Sequence, residues 1–229
     1  MMRFFWFKFA NNYGDVLTPY LCRALKVRCL WAHRHTADAI MVGSIANHAR
    51  PGQHVFGSGF IRAADNPCPT ARYHWVRGPI SRKMVMNAGG SAPELYGDAA
   101  LILPDFIRPA EKKHDIGYVP HHVDYMLLNR SQKVCLQRGS IEFITRQITS
   151  FRKVISSSLH GIIVAHAYGI PAAWVKLSDK LTGDDMKFHD HYASVGLKAQ
   201  LSTLENPIFQ VPTNIQTDHI GRIIKQYAK

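Results

Sequence analysis

Three observations predict an α/β fold with parallel sheets. Short apolar runs alternate with stretches of helical spacing along the whole chain, the pattern of strand, helix and strand units. Two of the runs stop in glycine and serine, Gly43-Ser44 and Gly57-Ser58-Gly59, as strands do in sheets whose ligands sit beyond the carboxyl ends. The stretch Arg152 to Pro171, RKVISSSLHGIIVAHAYGIP, reads as a complete strand, polar turn and helix. This alternation argues for a doubly wound architecture.

The 229 residues suffice for one large domain or two of about 100 residues each. A hydrophobic content of 46% with 19% charged residues excludes a largely disordered chain. No apolar run reaches the roughly 18 residues a membrane span needs. The opening MMRFFWFKFA lacks the cleavage pattern of a signal peptide, so a cytoplasmic protein is expected. The formal net charge of +12 suits nucleic acid, an anionic membrane surface or a phosphorylated substrate alike, and no nucleic-acid-binding pattern favours the first. Cys22, Cys29, Cys68 and Cys135 have neither zinc-ribbon nor redox spacing, so free, mostly buried thiols are expected.

Phe4 to Phe9 is the first expected strand. The loop Asn11 to Asp15 follows, then a helix over Val16 to Leu25 with Asp15 as its N-cap. The loop reads either as a sugar or phosphate contact or as plain turn chemistry. Ala39 to Val42 and Val55-Phe56 are the next strands. The glycines that end them permit close approach to a ligand and equally serve a tight turn. GxGxxG is absent, so no nicotinamide cofactor is assigned. Arg72 to Val76 is a fourth strand, with a helix starting at Pro79. Arg77 between them is either a two-pronged anion clamp or a solvated arginine. Asp98, after Gly97, either contacts ligand or caps the next turn. Residues 104–113, PDFIRPAEKK, form the predicted linker between segments 1–104 and 114–229.

Beyond the linker, His114 to Val119 and Val134 to Leu136 are expected strands. Ser140 to Phe151 is a helix with Ile141, Ile144, Ile148 and Phe151 on one face. Ala172 to Val175 is a strand and Asp218 to Tyr227 an amphipathic terminal helix. His121-His122 with Asp124 invite a metal reading, but neighbours on a strand point to opposite faces. His189-Asp190-His191 lacks a third placed ligand, so no metal is assigned. Lys187 to Tyr192 is read as a substrate-facing loop or supporting cluster.

The densest signal is His160, at the mouth of the helix after Ser156 to Ser158. Unpaired backbone N–H groups and the positive end of the helix dipole favour a phosphate or carboxylate there. A histidine in that place can hold an anion and move a proton near neutral pH. The alternative is that Ser157 or Ser158 caps the helix and His160 packs as an ordinary first-turn residue.

Taken in order, several blocks resemble the polysaccharide pyruvyl transferase family, and within it the exopolysaccharide ketalases of the succinoglycan type. They are Asn12-Tyr13-Gly14-Asp15, Gly57-Ser58-Gly59, Val76 to Ser81, Tyr96 to Ala100, Gly117 to His121, Ser156 to Gly161 with Gly169-Ile170-Pro171, and Lys187-Phe188-x-Asp190. The resemblance implies two Rossmann-like halves, arranged as in GT-B glycosyltransferases, with the active site in the cleft between them. It implies transfer of pyruvate from phosphoenolpyruvate to a pair of sugar hydroxyls as a ketal, with release of phosphate and no cofactor. The implied acceptor is a saccharide on a lipid at the inner face of the cytoplasmic membrane, which brings peripheral membrane contact.

By that likeness His160 transfers the proton and Arg77 holds the donor's charge. The implied substrate site takes in Asn12, Asp15, Gly57, Ser58, Asp98, His121, Ser158, Lys176 and His189. Many family members carry an arginine two residues before the histidine, where this chain has Ser158. Either another group such as Lys153, Lys176 or His121 then balances the donor's anion, or this branch of the family differs. A helix mouth contributes only about 0.3–1 kcal/mol, or about 2 when partly buried. Millimolar affinity corresponds to about −4.1 kcal/mol, so charged side chains contributing about 1.5–3 kcal/mol each are required. Two other functions fit the same features: a nucleotide-sugar glycosyltransferase on the same fold, and a non-catalytic polyanion-binding protein driven by the basic charge.

Overall fold

The computed structural model describes residues 1–8 and 12–228; Phe9 and Asn11, within the strand and loop expected at 4–15, lie outside them. The first half contains β1 (Met2–Phe5), α1 (Tyr13–Ala24), β2 (Cys29–Trp31), β3 (Ala39–Ile40), β4 (His54–Phe56), β5 (Arg72–Trp75) and α2 (Pro79–Asn87). Its five strands are parallel in the order β2-β1-β3-β4-β5. Strand β2 lies on one side of β1 and β3 on the other. The winding therefore reverses between β1 and β3, which leaves a crevice beyond their carboxyl ends. Alternation along the strands turns Phe4, Ala39 and Phe56 toward Leu17 and Leu21 of α1, and Phe5, Ile40 and Val55 toward Phe60 and Val85.

The second half contains β6 (His114–Val119), α3 (Ile141–Thr149), β7 (Phe151–Ser156), α4 (Leu159–Ala167), β8 (Ala172–Val175), α5 (Met186–Ser194), β9 (Leu201–Ser202) and α6 (Asp218–Tyr227). Its strands are parallel in the order β6-β7-β8-β9. The protein is thus a mixed α/β structure of two parallel sheets, consistent with two Rossmann-like domains. Helix α4 is buried nearly all round, with Ile162, Ile163 and Val164 all inside, as a helix between two layers must be.

One apolar core runs through both halves, joining Phe4, Leu21, Trp75 and Leu101 to Ile148, Val154, Ile163 and Trp174. Tyr13 of α1 adds a buried hydrogen bond of 2.6 Å to Thr145 of α3. Thr145 itself donates to the Ile141 carbonyl, so the tyrosine is the donor. Helix α6 returns to the first sheet, where the Tyr227 ring lies 4.0 Å from His74 and His219 lies 5.6 Å from Trp75. No helix among the described residues is long and apolar enough to cross a membrane.

Several local expectations are corrected. Helix α1 starts three residues early, at Tyr13 with Asn12 as N-cap, so Asp15 stands inside its first turn. Helix α3 ends at Thr149, and Phe151 opens β7 because its ring is needed over Gly117 of the neighbouring strand. Residues 134–136 form no strand; only Lys133 bridges to Tyr118. Residues 187–192, expected as a loop, belong to α5, which Phe188 and Tyr192 anchor in the core four residues apart. Of the four free cysteines only Cys22 is fully buried. Neither Ser157 nor Ser158 caps α4: the Ser157 hydroxyl donates to Asp124, and Ser158 makes no capping bond with its side chain.

Candidate active site

A cavity of about 170 Å³ lies at the crevice beyond β1 and β3, between the two halves. Its polar wall comprises Asn12 and Asp15 from α1, Ser44 after β3, His121 after β6, Ser158 and His160 at the start of α4, and Lys187 in the first turn of α5. Phe7, Ile45, Ile61 and Leu159 make its apolar side. The volume is well below the roughly 300–1,000 Å³ of sites for drug-sized ligands, so the cavity suits one small molecule. A wider hollow of about 420 Å³ around Glu111, Phe143 and Arg146 is an open surface cleft without buried titratable groups.

Three helices begin at this cavity. No side chain caps α1 or α4, so the positive ends of two helix dipoles meet here unopposed by a local acceptor. His160 is held between Gly14 and Asp98. A Cβ on Gly14 would stand 2.2 Å from His160 Nδ1, so only glycine lets the ring lie against α1. On the far side Nε2 is 3.8 Å from Asp98 Oδ2, too long for a hydrogen bond, and both atoms are buried without a partner. The other Asp98 oxygen accepts from the Ala100 N–H at 2.9 Å, which fixes the carboxylate.

Burial lowers the His160 pKa, Asp98 opposes this, and the positive charges of Arg77 and Lys187 add to the lowering. The imidazole is therefore neutral near pH 7. An arriving anion favours its protonated form. Asp15 shows the opposite displacement: burial raises its pKa to about 6, against a hydrogen bond from the Asn12 side chain. The cavity thus holds an imidazole whose proton affinity burial lowers and a carboxyl whose proton affinity burial raises, the usual basis for dividing acid and base roles.

His121 faces the same space. Its backbone N–H donates to Ser157 and its Nδ1 accepts from Val123, and burial followed by the His122, Lys187 and His160 charges depresses its pKa to about 3. It is a neutral wall residue. Lys187 is largely buried, donates to the Thr182 carbonyl at 3.0 Å, and has a pKa lowered to about 8 by burial and then by Arg77.

The sequence model of the polysaccharide pyruvyl transferase family matches residues 12–179. The chain belongs to this family. It is 32% identical over 209 residues to uncharacterized protein L143 of Acanthamoeba polyphaga mimivirus, covering 82% of this chain and 72% of that one. It is 25% identical over 217 residues to succinoglycan biosynthesis protein ExoV of Rhizobium meliloti (strain 1021), covering 86% of this chain and 66% of that one. The family match spans the segments that supply Asn12, Asp15, Ser44, His121, Ser158 and His160, so six of the cavity's polar residues lie within it.

The structure brings together Asn12, Asp15, His121, Ser158 and His160 as cavity wall, with Asp98 directly behind the histidine. Other expected site residues stand elsewhere. Gly57, at φ +76, lies under the Trp75 indole, and Ser58 is buried with its hydroxyl on the Gly43 carbonyl, so both shape the β3 and β4 loops. Lys176 sits near Asp179 at 3.3 Å and Asp185 at 3.9 Å, and His189 is exposed on the edge of Trp174. Lys153 reaches over the Phe209 ring on the far side of the second sheet.

Arg77 is fully buried and its guanidinium is satisfied internally. Nε and Nη2 lie 3.0 Å from Asp190 of α5, Nη2 also donates to the Phe60 carbonyl at 2.8 Å, and Nη1 donates to Ser44. It does not reach the cavity surface. Three contributors were given no individual role from sequence: Lys187 and Asp190, placed only in a substrate-facing or supporting cluster, and Ser44, read only as the end of a strand. A helical reading of residues 186–194 would have placed Lys187 and Asp190 three apart on one face, the signal that the loop reading discarded.

Proposed function

We propose that the protein transfers the pyruvyl group of phosphoenolpyruvate to two neighbouring hydroxyls of a sugar, forming a cyclic ketal and releasing phosphate during assembly of an exopolysaccharide. Family membership and the relative named for succinoglycan biosynthesis support this reading. The observation that carries it is the unpartnered His160 imidazole, backed by Asp98, in a small cavity with two helix mouths and a lysine. A cavity of 170 Å³ suits a three-carbon phosphate donor better than a nucleotide sugar, which argues against the glycosyltransferase alternative.

Bound donor charge and Asp98 together raise the proton affinity of His160, and the imidazolium protonates the donor's methylene carbon. That leaves an electrophilic C2, which the first sugar hydroxyl attacks while Asp15 accepts its proton. Closure by the second hydroxyl expels phosphate. The two hydroxyl protons balance one on the new methyl group and one on hydrogen phosphate. Asp98 stabilises the imidazolium as a paired carboxylate and does not itself transfer the proton. No metal or cofactor enters this scheme. The acceptor is proposed to be a lipid-linked saccharide at the inner face of the cytoplasmic membrane, where a net charge of +12 favours an anionic surface.

The test is phosphate release from phosphoenolpyruvate with free and lipid-linked galactosides and glucosides, for wild type and His160→Ala. Acceptor-dependent release that falls by about 10²–10⁴ in the variant supports the proposal. Equal release by the variant would sink it.

A further inference from the structure

The groups that hold the substrate's negative charge follow from the direction of the hydrogen bonds around the cavity. Arg77 Nη1 donates to the Ser44 hydroxyl. A guanidinium has no acceptor, so Ser44 Oγ receives this bond and its own O–H must point elsewhere. Ser44 lines the cavity, on a loop held by two bonds to the Gly43 carbonyl, from Ser58 Oγ at 2.8 Å and from the Gly59 N–H at 3.1 Å. The serine is therefore polarised by a cation on its inner side and presents a donor to the open space. The cation behind it is already matched by the buried Asp190 carboxylate, which also takes the Ser81 hydroxyl at 2.6 Å.

Lys187 stands on the same wall. Its ammonium has three hydrogens, of which one is directed to the Thr182 carbonyl. It is the cationic side chain that the cavity itself exposes, whereas Lys153, Lys176 and Arg77 are engaged elsewhere. It also arrives from α5, one turn before Asp190, so the segment that supplies the cation also supplies the partner that holds Arg77 against Ser44.

We infer that Lys187 and Ser44 form the subsite for the phosphate or carboxylate oxygens of the bound substrate, with Arg77 and Asp190 as positioning residues that act through Ser44. This rests on the reading of the cavity as a small-anion site given above. It assigns the charge that the family places two residues before His160, where this chain has Ser158, to a lysine from another element.

The experiment is calorimetric titration of wild type, Ser44→Ala, Lys187→Met and Lys187→Arg with phosphoenolpyruvate and, separately, with inorganic phosphate, at pH 7 and pH 9. Lys187→Met should weaken binding about tenfold or more and Ser44→Ala several-fold, while Lys187→Arg retains most of it. Wild-type affinity should drop between pH 7 and 9, as a lysine ordinarily charged at both values would not allow, and Lys187→Met should lose that dependence. Wild-type affinity in both Lys187→Met and Ser44→Ala would overturn the subsite and leave the proposed reaction standing. Phosphate binding that the variants lose, without any binding of phosphoenolpyruvate, would keep the subsite and overturn the donor. Failure of wild type to bind either anion would overturn both.

Discussion

Gly14→Ala places a single carbon against the His160 ring. The added Cβ would stand 2.2 Å from Nδ1 and 2.4 Å from Cε1, where ordinary contact begins at 3.4 Å, so the ring must retreat by about 1.2 Å. On its other side lies Asp98, and the 3.8 Å separation from Nε2 cannot survive such a shift unchanged. Folding should tolerate the change: alanine is better than glycine within a helix by up to about 1 kcal/mol. A ring forced off its rotamer costs about 0.5–1.5 kcal/mol. The two effects nearly cancel, and stability should stay within about 1 kcal/mol of wild type. Catalysis should not, since a displacement of about 1 Å can cost about 10²-fold. The expected outcome is about a hundredfold loss of phosphate release with an almost unchanged urea midpoint. An NMR titration of the His160 Cε1–H should show its pKa moved from the wild-type value as its distance from Asp98 changes. Wild-type turnover in Gly14→Ala would refute the claim that glycine is needed to seat the ring, and a stability loss above about 3 kcal/mol would refute the compensation argument.

Three further outcomes are expected. Asp190→Ala leaves the buried Arg77 charge unpaired and should cost about 3–5 kcal/mol in urea unfolding, so a loss under about 1 kcal/mol would contradict the buried pairing. Asp15 has a folded pKa of about 6, above the ordinary 3.8. Its ionisation therefore opposes folding increasingly as pH rises from about 4 through 6. Asp15→Asn should stabilise the protein by about 1–3 kcal/mol at pH 7.5 and by little at pH 3.5, while lowering turnover; equal effects at both pH values would exclude the buried carboxyl as the cause. His74, His121 and His166 have folded pKa values of about 4, 3 and 4, below the ordinary 6.5. They bind protons in the unfolded chain but not in the fold between those values, so their contribution is present above pH 6.5 and lost as pH falls. Even after the opposing proton on Asp15, stability should fall by about 2–3 kcal/mol per pH unit near pH 5.5, and a flat profile there would contradict the burial of neutral histidines.

Much of the second half could be read from local pattern. The terminal helix over Asp218 to Tyr227 and the strand His114 to Val119 have the bounds their spacing predicts, since their hydrophobic periodicity is regular and their ends carry turn residues. Strands β2 and β9 were not legible, because two or three residues carry no usable period. The boundary at Phe151 was misread because an aromatic ring at helical spacing from Ile148 also fits the first position of a strand. Only the neighbouring Gly117, whose missing side chain makes room for the ring, decides between them.

The same division holds in the site. The chain alone identified the helix mouth with His160, the glycine-bearing loop with Asn12 and Asp15, and the alternation that makes parallel sheets, because each is a property of neighbouring residues. It placed Lys187 in a substrate-facing or supporting cluster without assigning it a charge-holding role, and it did not show that Arg77 is spent on Asp190, 113 positions away. Whether a charge faces ligand or carboxylate depends on which distant segment packs against it. Burial, which strengthens that choice and moves the proton affinities of His160, Asp15 and Lys187, exists only once the two sheets have closed on each other.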